Sequence, residues 1–331
     1  RLGAQVPVAA GSPAEADALL RLVDPQLRGP FLANRTVVDA LTLPQVRERM
    51  AAHIPPWLAH PPIVRRAIPG PKGAPDVAIA IINAGTTGAP RPALLHLHGG
   101  GYVAGGIAGE LAMAQRLARD HECVVVSVDY RLAPETCFPG ALEDNYAALK
   151  WVVANAAELG VDTRRIAVMG TSAGGGHAAM LSAAAKDRGE VPICFQLLLS
   201  PMLDDRTGSS RPMPRHIGAF IWTADANRFG WSSFLGVPAG STNVPEGAVP
   251  SRRLDLGGLP PTYIGVGSID LFVSENIEYA ARLVTAGVPV ELNVVPGAYH
   301  VFFAIKPDAG ASRLFGASYN RALARAFAAP W

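Results

Sequence analysis

Cysteine is scarce in this chain. Cys123, Cys137 and Cys194 are the three in 331 residues, and no two have the C-x-x-C spacing of a metal or redox pair. A disulfide framework is excluded, and Cys123 and Cys194, in or beside apolar runs, read as small buried hydrophobes. Charge imbalance is lacking too. The formal net charge is +2, which offers no electrostatic handle for nucleic acid or an anionic membrane. No apolar run approaches the roughly 18 residues of a membrane span. Residues 1–18 carry Pro7, Pro13, Glu15 and Asp17 and no apolar stretch of a secretory signal. For the chain as it stands, these absences make the cytoplasm the expected compartment. There is no internal repeat and no low-complexity tract. What is present is 49% hydrophobic residues against 17% charged, the balance of a globular protein with a sizeable core.

Taken in order, residues 1–60 are proline-punctuated and helical in pattern. Apolar residues recur at helical spacing over 14–23 and 43–53, with prolines between them. This segment is expected to pack over something rather than fold alone. Strands are expected at 63–68 and 77–83, around the turn-rich stretch 69–73, then at 93–97, 123–128, 166–169, 193–199, 262–266 and 290–295. Helices are expected between them at 111–121, 141–159, 173–185, 274–286 and 309–327. Alternating strands and helices mean an α/β fold with a mostly parallel sheet covered on both faces. The tight turn between the leading strands implies an antiparallel start. Alternation pauses from Pro201 to about Pro250, an irregular insertion carrying Phe220, Trp222, Phe229, Trp231 and Phe234. This insertion and the N-terminal helices are candidates for a lid over the strand carboxyl ends, where open α/β sheets keep their sites.

The stretch Ile166 to Met169 runs into Gly170-Thr171-Ser172-Ala173-Gly174, and a small-residue helical run follows. Strand, sharp turn and helix around G-x-S-x-G form a nucleophile elbow, with Ser172 exposed beside a helix N-terminus. A hydroxyl needs a base to take its proton and donors to hold the oxyanion that forms. Gly99, Gly100 and Gly101 follow a buried strand and His98. The bare N–H groups of Gly100 and Gly101, with that of Ala173, are the expected oxyanion donors. Of the eight histidines, His300 stands on a loop after a strand, in Pro296-Gly297-Ala298-Tyr299-His300, and is the expected base. His177 on the elbow helix is expected to point away from the site or into packing. Asp270, on the loop after the strand at 262–266, is the expected orienting acid. Glu275 is its rival, and otherwise reads as an acid in the first turn of a helix. The chain order Ser172, Asp270, His300 is that of α/β-hydrolases. Trp222, Phe229 and Trp231 are candidates for an apolar substrate wall, with packing of the insertion onto the sheet as the alternative for each.

From about residue 91 to 303, the chain resembles the hormone-sensitive lipase family of α/β-hydrolases, the bacterial family IV carboxylesterases. The resemblance rests on His98-Gly99-Gly100-Gly101, Asp129-Tyr130-Arg131-Leu132-Ala133-Pro134-Glu135, the elbow, Asp270 to Glu275 and the His300 segment. The elbow is similar to the Gly-Thr-Ser-Ala-Gly subgroup. The family's Asp-Pro-Leu followed by an Asp-Glu pair here reads Asp270-Leu271-Phe272-Val273-Ser274-Glu275, without the proline and with only the Glu of the pair. The resemblance implies an eight-stranded sheet with a helical cap, made of residues 1–60 and completed by an insertion at 202–250 in a catalytic domain of 61–331. It implies a serine carboxylesterase acting on small esters of short-to-medium acyl chain. It implies no cofactor, no metal and frequent homodimers. In family members His98 and the 129–135 segment support the oxyanion loop without doing chemistry. Amide, carbamate or lactone hydrolysis by the same triad, and ligand binding without turnover, stay open.

Overall fold

Short apolar runs bounded by turn residues recur along the chain, and each forms one strand of a single sheet. The structure, a computed structural model, describes residues 5–7, 13–86 and 88–328. Residues 1–4 and 8–12 of the expected N-terminal segment, and 329–331 at the end of the expected catalytic domain, lie outside the described residues. The strands are β1 (Ile63–Ile68), β2 (Val77–Ile82), β3 (Arg91–Leu97), β4 (Val124–Asp129), β5 (Val161–Thr171), β6 (Phe195–Leu199), β7 (Thr262–Gly267) and β8 (Val290–Val295). They lie in the order β8-β7-β6-β5-β3-β4-β2-β1. β1 pairs antiparallel with β2, as the tight turn at 69–73 implies, and β2 pairs antiparallel with β4. The other pairs are parallel. A separate antiparallel ribbon pairs Gln5–Pro7 with Asn34–Thr36.

The helices are α1 (Pro13–Arg21), α2 (Leu43–Ala52), α3 (Leu111–Asp120), α4 (Gly140–Ala154), α5 (Ala156–Leu159), α6 (Ala173–Arg188), α7 (Ala224–Leu235), α8 (Val273–Thr285), α9 (Phe302–Ile305) and α10 (Gly310–Ala328). They cover both faces of the sheet. Strand side chains alternate between faces. Val124, Val126 and Val128 therefore pack with Leu149 of α4, Leu181 of α6 and Leu283 of α8. Val125, Leu94 and Met169 pack with Leu117 of α3 and Phe315 and Leu323 of α10. Two buried faces explain why the strands read as continuous apolar runs rather than alternating ones. Each fully buried Leu or Val contributes about 1.5–3 kcal/mol of burial free energy. No helix among the described residues is long and apolar enough to cross a membrane.

Three local expectations need correction. The helix expected over 141–159 is two, parted at Asn155, whose side-chain amide and backbone N–H both donate to the Trp151 carbonyl, at 2.8 Å and 3.0 Å. The elbow strand begins at Val161 rather than Ile166. Its first half, Asp162 to Arg165, is polar and carries a register shift opposite Arg91 and Ala93, which hides it from an apolar-run search. The insertion is not irregular throughout. Thr223 caps α7 by accepting from the Ala226 N–H, and Gly236 closes it in the left-handed conformation. The N-terminal segment docks on both sides of the molecule. Leu43 and Val46 of α2 join the α4 side, while Val23, Leu27 and Leu32 join the α10 side.

Candidate active site

β5 delivers Ser172 at its carboxyl end, and the backbone there is strained. Ser172 has φ 58° and ψ −121°, a region that costs a non-glycine residue about 1–3 kcal/mol. The fold holds it there from both sides. The Ser172 N–H donates to the Leu199 carbonyl at 2.8 Å, and the Ser172 carbonyl accepts from Met202 N–H at 3.0 Å and Gly176 N–H at 3.1 Å. Strand and helix meet with no room for side chains. A Cβ on Gly170 would lie 2.1 Å from the Gly174 carbonyl carbon, and one on Gly174 would lie 2.1 Å from the Leu97 oxygen.

The loops after β7 and β8 bring Asp270 and His300 to this serine. Their backbones are laced together: Ser268 N–H donates to the Val295 carbonyl, Ile269 N–H to the Ala298 carbonyl, and Gly297 N–H to Ser268 Oγ. His300 Nδ1 stands 2.9 Å from Asp270 Oδ2, and Nε2 stands 2.9 Å from Ser172 Oγ. Asp270 Oδ1 accepts the Phe272 N–H at 3.0 Å, which fixes the carboxylate plane. An ionised Asp270 can only accept, so Nδ1 carries the proton and Nε2 offers its lone pair to the Ser172 hydroxyl. The Phe272 ring stands edge-on to the imidazole, 5.1 Å between centroids.

Glu275 is elsewhere. It is buried in the first turn of α8, and its Oε1 accepts the N–H groups of Leu203 at 2.7 Å and Asp204 at 3.2 Å. With Asn276, whose amide donates to the Pro201 carbonyl, it grips the loop that supports Ser172 from below. The sequence reads it as a rival orienting acid or an acid in the first turn of a helix, because nothing local reveals the loop lying across it.

The glycine loop after β3 is pinned carbonyl by carbonyl. The His98 carbonyl accepts from Tyr130 OH at 2.5 Å, and the Gly99 N–H donates to Glu110 Oε1 at 2.7 Å. The Gly99 carbonyl lies 2.9 Å from His98 Nδ1. The Gly100 carbonyl accepts from Val103 N–H at 3.2 Å and Ala104 N–H at 2.9 Å. In a trans peptide the N–H points opposite to the C=O. Anchoring the Gly99 and Gly100 carbonyls therefore aims the Gly100 and Gly101 N–H groups the other way, and neither donates to any described residue. Gly100 has φ 133°, and a Cβ there would lie 1.9 Å from the Ala104 oxygen, so only glycine fits. Ala173 opens α6, where a helix leaves its first N–H groups unpaired.

The aromatic candidates separate. The Trp222 indole lies 6.4 Å from the His300 ring, and a Cβ on Gly101 would come 2.2 Å from its Cη2. It stands against both the glycine loop and the His300 ring. A tight turn aims it, with Ile221 at φ 67° and the Trp222 N–H donating to the Phe220 carbonyl at 2.8 Å. Trp231 is fully buried, with its ring 4.9 Å from Tyr102, and has no face to offer a substrate. Phe229 is partly buried against the α4-side core. His177 lies in packing, its ring against Tyr102, Tyr130 and Phe234. No group of three or more His, Cys, Asp or Glu among the described residues is arranged to hold a metal ion.

Residues 94–304 match the family model described as alpha/beta hydrolase fold. The chain is 35% identical over 303 residues to the carboxylesterase NlhH of Mycobacterium tuberculosis, covering 87% of this chain and 92% of that protein. It is 37% identical over 251 residues to the esterase LipI of the same organism, covering 75% and 77%. Among solved structures it resembles a bacterial heroin esterase with a TM-score of 0.83 and 36% identity, over 93% of this chain and 99% of that one.

Proposed function

The chain belongs to the alpha/beta hydrolase fold family and is a carboxylic ester hydrolase of the hormone-sensitive lipase kind, and from that premise we propose that Ser172, His300 and Asp270 are its catalytic triad and small esters of short-to-medium acyl chain its substrates. The observation that carries this is the unbroken chain of contacts from Asp270 Oδ2 through both imidazole nitrogens to Ser172 Oγ. Ser172 Oγ attacks the acyl carbon while its proton passes to His300 Nε2. The oxyanion so formed takes hydrogen bonds from Gly100, Gly101 and Ala173 N–H, donors that need no reorganisation. Asp270 stays ionised and steadies the imidazolium. The carbon–oxygen bond to the alcohol breaks, and the alcohol leaves with the proton from Nε2. Water then attacks the acyl-enzyme with the same base and the same donors, and releases the acid.

The cap of residues 1–60 and 202–250 sets which esters enter. Ser172 is 5% exposed and His300 3%, with Trp222 beside the His300 ring, and this near closure supports a limit on acyl length. Phe229 is the second candidate for the wall. The test is hydrolysis of p-nitrophenyl esters from acetate to palmitate by wild type and Ser172→Ala, with a fluorophosphonate label read by intact mass. Turnover of acetate and butyrate that vanishes in Ser172→Ala, with a single label on wild type, is the expected result. A rate maximum at palmitate overturns the chain-length limit, and near wild-type turnover by Ser172→Ala overturns the triad.

A further inference from the structure

Glu110 occupies an unusual place. It stands at the N-cap of α3, a position that favours Ser, Thr, Asp or Asn because a short side chain can reach back to the helix N–H groups. Glu110 makes no such bond to its own helix. Its carboxylate turns toward the glycine loop instead. Oε1 accepts the Gly99 N–H at 2.7 Å, and Oε2 lies 2.9 Å from His96 Nε2. Behind it, His96 Nδ1 lies 2.8 Å from Ser127 Oγ. His96 and Ser127 are fully buried on β3 and β4, and the Glu110 side chain is 23% exposed. A buried chain of serine, histidine and carboxylate thus ends on one backbone N–H of the loop that carries the oxyanion donors.

We propose that Glu110, steadied by His96, is a positioning residue for the oxyanion hole. The inference rests on the serine esterase reading above. The His98–Gly99 peptide is gripped at both polar ends, its carbonyl by Tyr130 OH and its N–H by Glu110. With that plane fixed, the next peptide keeps the two torsions of Gly99, and the contact of His98 Nδ1 with the Gly99 carbonyl restrains them. That restraint aims the Gly100 N–H. Glycine is the residue that leaves a loop most freedom to lose. Three in a row need an external clamp if their donors are to be aimed before the charge develops, and preorganised donors are what oxyanion catalysis requires.

The bonds favour a charged clamp. Burial acts to raise the Glu110 carboxyl, but the His96 contact and the Gly99 N–H outweigh it, and the group sits below the usual carboxylate range. A carboxylate accepting a backbone N–H makes one of the stronger hydrogen bonds in proteins. Other groups face this cluster. His98 Nε2 lies 3.8 Å from Asp129 Oδ1, which also accepts the Ile107 N–H. Glu110 alone among the acids here touches the backbone of the glycine loop.

The test compares Glu110→Ala, Glu110→Gln and Glu110→Asp with wild type. It measures kcat and KM on p-nitrophenyl butyrate and inhibition by a trifluoromethyl ketone, which forms an oxyanion on the serine. Ser172→Ala runs beside them, so that loss of the esterase reading is seen separately from loss of this one. Glutamine keeps an acceptor for Gly99 at the right reach and should hold within about threefold of wild type. Aspartate keeps the charge but falls short by a methylene, and alanine removes the acceptor. Both should lose kcat by about 10–100-fold with KM little changed, and lose ketone affinity by the same factor. Wild-type kcat in both Glu110→Ala and Glu110→Asp overturns the proposal. So does a fall in kcat with ketone affinity unchanged, which a merely structural role would give. If Glu110→Ala does not fold, Glu110→Asp against Glu110→Gln carries the same comparison.

Discussion

At the scale of the residue, Asp270 and Glu275 share one segment and have opposite electrostatic fates. Asp270 is aimed at an imidazole and must be charged to hold it. Glu275 is sealed under the 201–204 loop, and burial holds its carboxyl well above the usual value of 4.5. Burial therefore favours its neutral form, and glutamine is that form's near isostere. Asp270→Asn should lower kcat by roughly 10³–10⁴-fold through the wrong tautomer and an unsupported imidazolium. Glu275→Gln should leave kcat within about threefold of wild type, because its amide oxygen still accepts the Leu203 and Asp204 N–H groups. Steady-state kinetics of the two variants decide it, and the reverse order would make Glu275 the acid. A sign follows for stability. A carboxyl whose pKa is raised by folding stabilises fully below the unfolded value and loses that contribution as pH rises. Glu275→Gln should accordingly gain on wild type in urea titrations as pH climbs above 4.5. The three residues proposed as the triad could be picked from the sequence because each stands on the loop after a strand. Glu110 and the buried role of Glu275 could not, since both depend on which distant loop lies across a helix start. The nearest local signal was His96 inside a buried apolar strand and His98 just past its end, where two imidazoles need partners.

At the scale of the element, α2 packs Leu43 and Val46 into the α4-side core and reaches the loops after β3 and β4 through Arg47. Arg47 Nε donates to the Val103 carbonyl at 2.7 Å, one of its terminal nitrogens donates to the Ala133 carbonyl at 2.9 Å, and both terminal nitrogens meet Glu135. Val103 itself donates back to the Gly100 carbonyl, so this anchor is continuous with the oxyanion loop. The three contacts are not equal. The carbonyl bonds are partly buried, whereas the Glu135 side chain is 61% exposed, and such an ion pair contributes about 0–1 kcal/mol. Arg47→Ala should cost about 1–3 kcal/mol, the range for stranding partly buried acceptors, and lower kcat/KM. Glu135→Gln should cost under about 1 kcal/mol. The Arg47 hydrogen bond draws Glu135 down to about 2. Its small contribution is present above the ordinary 4.5 and disappears as pH falls through about 2, so wild type and Glu135→Gln should converge in acid melts. Equal losses in the two variants at neutral pH would make the ion pair the anchor. The strands were legible at this scale because two buried faces leave unbroken apolar runs. α7 was not, because Ala224, Asp225, Asn227 and Arg228 present no apolar stripe until Phe229 and Trp231, and the aromatics around it read as a loop.

At the scale of the whole molecule, the mostly parallel sheet and its antiparallel start followed from alternation and one tight turn, while the strand order and the docking of residues 23–46 onto both faces did not. Proline spacing says where a chain bends and not which core it reaches. The packing of the α4-side core around α6 also sets how the protein responds to acid. His177 sits on that helix 1% exposed, its ring enclosed by Tyr102, Tyr130 and Phe234. Burial pushes its pKa down from 6.5 to about 3, with a smaller push from His98. The unfolded chain takes a proton below pH 6.5 that the native state refuses until about pH 3. The unfolded state then binds more protons, so stability falls as pH drops through that window, by about 1.4 kcal/mol per unit. From pH 8 to pH 5 the loss from this residue is about 2 kcal/mol. His177→Phe keeps an aromatic ring and cannot titrate. Its packing cost is the same at both pH values, so it cancels when the variant's unfolding free energy at pH 8 is compared with that at pH 5. The pH 8 to pH 5 difference, measured by urea titration, should shrink by about 2 kcal/mol in His177→Phe relative to wild type. An unchanged difference would mean that the native core accepts the proton, and that the ring now enclosed by Tyr102, Tyr130 and Phe234 opens to water well above pH 3.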